Sequence, residues 1–356
     1  MGLSKLVIGA FWNPKEQRFR AFWRLGLHTL LVILLTSAFT VGLMLLAVLL
    51  DLASGANLAD IIMGASPIAL VEATWVTQVI VPLAALMGVL SATFLTGRWF
   101  DHRRFERFGI RLTKAWWADF AFGLVLGAVL MGLVFLVGWL TGSLRVTGYY
   151  EVYNPDTRFF SGLVMSLVFF ICVGIYEELL SRGYHLVNLA EGLNHPLLGQ
   201  RGALILAFLI SSLAFGLLHL GNPNATWVST LNIAFAGVFL GLGMVLTGSL
   251  AIPIGLHITW NFFQGNVFGF PVSGIQTGAT VIATEAIGPT WLTGGSFGPE
   301  AGTLGLGAML VGSVLTVLWV RRKGKLALAE DLAVYEPRTR RLDQQTGFDT
   351  PNLDVD

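Results

Sequence analysis

Long apolar runs, separated by short charged stretches or by glycine- and asparagine-bearing breaks, set the plan of this chain. Residues 25–50, 73–97, 120–144 and 159–176 contain no Asp, Glu, Lys or Arg. A helix crossing a bilayer needs about 20 mostly apolar residues, and each run is long enough or nearly so. A longer charge-free tract covers 202–284. Gly221-Asn222-Pro223-Asn224 and Thr247-Gly248-Ser249 read as turns within it, leaving helices near 203–220, 227–246 and 250–268. A last run covers 302–320. The pattern predicts an all-α, polytopic membrane helix bundle of about eight transmembrane helices.

Composition sharpens that reading. The chain is 54% hydrophobic and 12% charged, with a mean hydropathy of +0.71, whereas soluble domains carry about 25% charged residues. Lipid is therefore a partner along most of the chain. The net charge of +1 implies no nucleic-acid partner. Cys172, the single cysteine, lies in an apolar run and reads as a small buried hydrophobe.

Lysine and arginine placement gives the orientation. Lys5, Lys15, Arg18, Arg20 and Arg24 precede the first span, and Arg98 to Lys114 follow the second. Arg182 and Arg201 follow the fourth, and Arg321 to Lys325 and Arg338 to Arg341 follow the last. With eight spans all of these fall on one side, and only Arg145 and Arg158 on the other. The chain is expected to be multi-pass in the cell (inner or plasma) membrane with both termini cytoplasmic. The first run is too long for a signal-peptide core and reads as a retained anchor. The divisions are a cytoplasmic segment at 1–24, three helices in 25–145, a Gly-rich extracytoplasmic loop at 271–301, a last helix at 302–325 and a cytoplasmic tail at 326–356. From about Ala329 onward the tail is polar and proline-bearing, and disorder is expected.

Ionisable residues inside a bilayer are costly and usually functional. Here they are Glu177, Glu178, Arg182, His219 and His257, with His28 in the first span. Glu178 and Arg182 stand four apart with the acid first, a favourable helical pair. That leaves Glu177 without a local counter-charge, as a reactive carboxylate suited to general-base work. The plainer alternative is that both acids merely end the helix. Phe215 and His219 share a helix face, so the ring can pack the imidazole. His257 and Asn261 also stand four apart and can donate together to a developing oxyanion, or else bond between helices. Three neighbouring spans thus offer a base, a histidine and a donor pair, the inventory amide hydrolysis needs.

Helix rise sets a test of depth. Glu177 lies about 27 Å from residue 159, and His257 about 12 Å above residue 249, which agree. His219 lies about 25 Å above residue 202, which is too far unless that helix starts well below the surface or tilts steeply. The Gly221–Asn224 turn would then sit inside the bundle, against a hydrated cavity.

The order of these motifs resembles the CAAX protease and bacteriocin-processing (Abi) family, which includes the type II CAAX prenyl endopeptidases. They read Glu177-Glu178-x-x-x-Arg182, Phe215-x-x-x-His219 and His257-x-x-x-Asn261. The Thr247–Leu250 turn and the Thr293–Glu300 segment also look like the family, while Ser181 departs from the phenylalanine usual there. The resemblance covers roughly 160–265, within a core taken as 155–270, and the first three spans match only as hydrophobic helices. It implies an intramembrane endopeptidase in which Glu177, helped by His219, activates water. His257 and Asn261 would hold the oxyanion, with Glu178, Arg182 and Phe215 in support. The implied substrate is a membrane-associated or lipidated peptide or protein. No cofactor is expected. The alternative is zinc on Glu177, His219 and His257, consistent with the family's former classing as metalloproteases. Competing readings are a proton-coupled transporter and a non-catalytic membrane scaffold of the same fold.

Overall fold

The computed structural model describes residues 9–53, 55, 76–153, 157–324 and 326–337. A small N-terminal hairpin, β1 (Trp12–Asn13) and β2 (Arg18–Phe19), leads into the long apolar helix α1 (Ala21–Ala53). A π-helical turn, Val76–Ile80, opens α2 (Val81–Trp99), and α3 follows at Lys114–Leu140. The start of the second predicted span, 73–75, lies outside the described residues.

Strand β3 (Leu144–Val152) precedes α4 (Phe159–Glu178). A π-helical stretch, Leu179–His185, joins α4 to α5 (Leu186–Leu193) without a break. The resulting rod, Phe159–Leu193, has 35 residues. Helix α6 (Gly199–Leu218) returns beside it, followed by α7 (Trp227–Thr247) and α8 (Ala251–Phe262), the last extended by a π turn at Phe263–Val267. Strand β4 (Ala279–Ala286), the short α9 (Thr290–Thr293) and α10 (Thr303–Lys323) complete the order.

Among the described residues seven helices are long and apolar enough to cross a membrane, in keeping with an all-α bundle. The seventh predicted span, 250–268, is a shorter helix, and every residue from Ala251 to Ile258 is buried. Its apolar surface faces protein on all sides, so it needs neither the length nor the lipid exposure of its neighbours. Glycines permit that enclosure. A Cβ on Gly255 would fall on the Phe120 carbonyl, and one on Gly123 on the Ile252 carbonyl, so α8 and α3 pack backbone to backbone. Small residues serve this role between membrane helices, where close packing supplies the attraction. Gly174 does the same for α4 against Ile258.

Two parts of the fold depart from the sequence reading. The loop 271–301 is not merely Gly-rich: β4 pairs antiparallel with β3, from Leu144↔Ala286 to Val152↔Ala279, with a bulge between Val146 and Gly148. Arg145 and Glu285 pair across it. The tail is ordered as far as 337. Ala329 donates its N–H to the Val245 carbonyl at 2.8 Å, Asn194 donates to the Ala333 carbonyl at 2.9 Å, and Leu332 and Ala333 are buried. A few apolar side chains anchor a segment whose average composition is polar. Residues 338–356, the rest of the predicted tail, lie outside the described residues.

These features define two ends of the bundle. The sheet end carries β3 and β4. The basic end carries the N-terminal hairpin, the α5–α6 turn and residues 326–337. There Arg24 pairs with Asp101 at 2.6 Å and with Glu191 at 3.2 Å. Burial lowers the Arg103 guanidinium to about 10.

Candidate active site

Helix α4 descends from the sheet end, and α6 and α8 ascend from the basic end. Ser211 of α6 donates to the Ser181 carbonyl at 3.0 Å, which levels those residues. Gly183 packs on Leu250, which levels the foot of α8 with the π-helical stretch. Counting about 1.5 Å per residue upward, Glu177 and Phe215 each stand about 6 Å above the Ser181–Ser211 contact. His257 stands about 10 Å above Leu250, close to the height of Glu177. His219 is about one turn nearer the sheet end. The depth conflict thus resolves through α5, which carries the chain further down before α6 begins at Gly199.

Glu178 is fully buried and clamped from two sides. Its Oε1 accepts from Arg182 Nη1 at 2.8 Å and from His257 Nδ1 at 2.8 Å. Arg182 also donates through Nη2 to the Gly237 carbonyl at 3.2 Å and lies 4.2 Å from the Phe215 ring centroid. The guanidinium therefore joins three helices, and Glu178 fixes the His257 ring. The expected Glu178–Arg182 pair is present.

With Nδ1–H given to Glu178, His257 presents Nε2, which lies 4.0 Å from Glu177 Oε2. The Phe215 carbonyl can only accept, so the His219 contact at 2.7 Å puts the hydrogen on Nδ1 and leaves Nε2 free. The Phe215 ring stands 4.8 Å from the His219 ring and 6.3 Å from that of His257, so it packs both imidazoles. Glu177, His219, His257, Asn261 and Phe215 all line one cavity of about 410 Å³. Glu178 and Arg182 stand behind its wall.

Residues 159–263 match the type II CAAX prenyl endopeptidase Rce1-like family. That stretch is similar to CAAX-type intramembrane proteases. Neither the curated proteins nor the solved structures gave a match. The matched stretch runs from the first residue of α4 into the π turn after α8, and so contains the three motifs of Glu177–Arg182, Phe215–His219 and His257–Asn261. It covers less than a third of the chain. The remaining helices wrap it.

Several cavity residues lie beyond the motifs. Ser166, Gln78, Ser273, Thr277 and Glu300 also line it. Glu300, 4% exposed, accepts the Ser273 N–H at 2.7 Å and the Ser273 hydroxyl at 3.4 Å. Burial pushes its carboxyl above the ordinary carboxylate range, against the pull of the Ser273 N–H, Gln264 and His219. Its sequence signal was an isolated acid in a glycine-rich segment. The Gly221–Asn224 turn is mostly exposed instead of enclosed, and only Asn222 reaches the cavity. His28 lies apart from the cavity, bonded to Thr93 at 3.0 Å and stacked on Tyr184, as a packing residue. Ser181 lines the cavity, so the smaller side chain leaves room that a phenylalanine would fill.

The zinc alternative fits the donors poorly. Among the described residues no three His, Cys, Asp or Glu side chains are placed to share a metal ion. His219 stands about a turn away from Glu177 and His257 along the bundle.

Proposed function

We propose that the chain is a glutamate-based intramembrane endopeptidase. One observation carries the proposal: Glu177, His219, His257 and Asn261, from three helices, line a single cavity. In this reading Glu177, partly exposed to the cavity and carrying no counter-cation of its own, takes a proton from a water. His219 shares that proton through its free Nε2. The resulting hydroxide attacks the scissile carbonyl. Asn261 donates to the oxygen that gains charge, and so does His257 when its Nε2 is protonated, a state its Nδ1–H to Glu178 permits. The tetrahedral intermediate collapses as the amine leaves with a proton returned from Glu177 or His219. Glu178 and Arg182 act through His257, holding its ring.

The test is cleavage of membrane-associated peptides by the purified full chain. Glu177→Gln is expected to reduce turnover by about 10²- to 10⁴-fold, the range that a positioned general base contributes, with thermal unfolding little changed. Turnover within tenfold of wild type would remove Glu177 from the role of base.

A further inference from the structure

At the basic end, Arg18, Arg24 and Arg103 are buried together, none more than 5% exposed. Among the described residues the buried acids that meet them are Asp101 and Glu191. Arg24 holds Asp101 at 2.6 Å, and Glu191 is divided among Arg18 at 2.9 Å, Arg24 at 3.2 Å and Arg103. Glu16 adds a third carboxylate 2.7 Å from Arg18, but its side chain is 36% exposed. Arg103 is left the least compensated. Its Nε has no hydrogen-bond partner. Burial, opposed by Asp101 and helped by the charges of Arg18, Arg24 and Arg107, lowers it to about 10.

Arg103 forms one wall of a second cavity, of about 150 Å³, at the foot of α2. Arg98, Arg104, Glu106, Phe94 and Phe105 also line it, so the lining holds three guanidiniums against one carboxylate. Glu106 lies 3.7 Å from Arg104. Arg98 is exposed and, among the described residues, has no ion-pair partner. Phe94 and Arg98 stand four apart on α2 and so share a face. Phe94 is 53% exposed on a helix apolar enough to cross a membrane, so that face meets lipid and Arg98 lies where headgroups begin. Carbonyls at a helix end oppose an anion, but here the Thr96 carbonyl accepts the Phe100 and Asp101 N–H groups and the Gly97 carbonyl that of Arg103.

We propose that this pocket binds the phosphate of an anionic phospholipid, with an acyl chain laid along Phe94. Arg98 and Arg104 hold the phosphate oxygens from the open side and Arg103 from the buried side. Guanidiniums offer forked donors that match phosphate geometry. A buried cation short of counter-charge is costly, and the phosphate offsets that cost. A free phosphate has the same chemistry, but the lipid-facing Phe94 beside the arginines favours the lipid. The inference stands independently of the protease reading. It bears on that reading in one respect: Arg103 pairs with Glu191, near the end of the rod that carries Glu177 and Glu178, so a bound lipid braces the foot of that rod.

The experiment titrates the purified full chain in detergent with phosphatidylglycerol or phosphatidylcholine of matched acyl chains and counts bound lipids by native mass spectrometry. Phosphatidylglycerol carries its phosphate without a cation, whereas choline would meet the arginines. The first phosphatidylglycerol is expected to bind at least about tenfold tighter than phosphatidylcholine, as two interfacial arginines allow. In the double variant Arg98→Gln, Arg104→Gln, which changes exposed side chains only, the preference should fall to within about twofold. The double variant Arg111→Gln, Lys114→Gln removes two exposed cations of the same connection outside the pocket and should keep the preference. A large excess of inorganic phosphate should leave the lipid in place. Equal binding of the two lipids, or a preference that survives Arg98→Gln, Arg104→Gln, would overturn the proposal. So would an equal loss in both double variants, which would point to a diffuse basic surface. Displacement by inorganic phosphate would overturn the lipid assignment and give the pocket to a free phosphate.

Discussion

Glu178 and Glu300 are both buried carboxyls, yet their environments differ. Glu178 shares one oxygen between a guanidinium and an imidazole, so its charge is met by a partner. Glu300 is hydrogen-bonded by neutral donors, and burial raises its carboxyl above its ordinary value of 4.5 against the pull of those donors and of His219. A carboxyl raised on folding weakens the fold as pH climbs through its folded-state value and costs nothing below its unfolded one. Glu300→Gln is therefore expected to match wild-type thermal stability below about pH 4.5 and to exceed it at pH 7, read by unfolding in detergent across that range. A variant less stable at neutral pH would show that the Ser273 contacts outweigh burial. The sequence made the Glu178–Arg182 pair readable because helical spacing alone brings them together. Glu300 was not readable in the same way: its partners, Ser273 and Gln264, come from a loop and a π turn whose paths no periodicity specifies.

At the scale of elements, α8 is the part most dependent on its neighbours. It is too short to span and is held by glycine contacts to α3 and α4. Gly255→Ala places a methyl group on a backbone carbonyl that cannot swing aside. The expected cost is about 1–3 kcal/mol, as for overpacking elsewhere, together with loss of cleavage as His257 is drawn from Glu178. Thermal unfolding and turnover of the same sample check both. Unchanged turnover would mean that the α3–α8 crossing does not set the position of His257. Hydropathy located the eight predicted helices because each is an apolar run, α8 included, while the short α5 and α9 gave no such signal. Charge and hydropathy do not register whether an apolar helix faces lipid or protein, so its enclosure was hidden. Strand β3, with Gly148 in its middle and tyrosines beside it, is a pair of half-signals that only its partner β4 completes.

For the whole molecule, the C-terminal segment closes the basic end. Leu332 is buried beneath the α5–α6 turn, Tyr335 lies under the Arg18 guanidinium at 3.4 Å, and Glu336 pairs with Arg107. Leu332→Ala is expected to cost about 2–3 kcal/mol, toward the lower end for a buried leucine, while Leu326→Ala at an exposed site stays within about 0.5 kcal/mol. Equal effects in unfolding experiments would mean that the segment does not bear on the bundle. Average composition pointed to disorder there, because two buried side chains weigh little in a window of polar residues. Their effect on the fold depends on the groove that receives them.

The turn after α6 and the loop after α8 are stitched together. Asn222 donates to the Ser273 carbonyl at 3.0 Å and Asn224 to the Ser296 carbonyl at 3.4 Å, and within the loop Gly274 N–H donates to the Phe297 carbonyl at 2.7 Å. His219 sits just before the first of these seams, so the turn that follows it is held by residues some fifty to eighty positions downstream, while its ring is set by Phe215. Exchanging helices alone between related chains would leave that turn without its partners. The two segments have to be moved as one cassette.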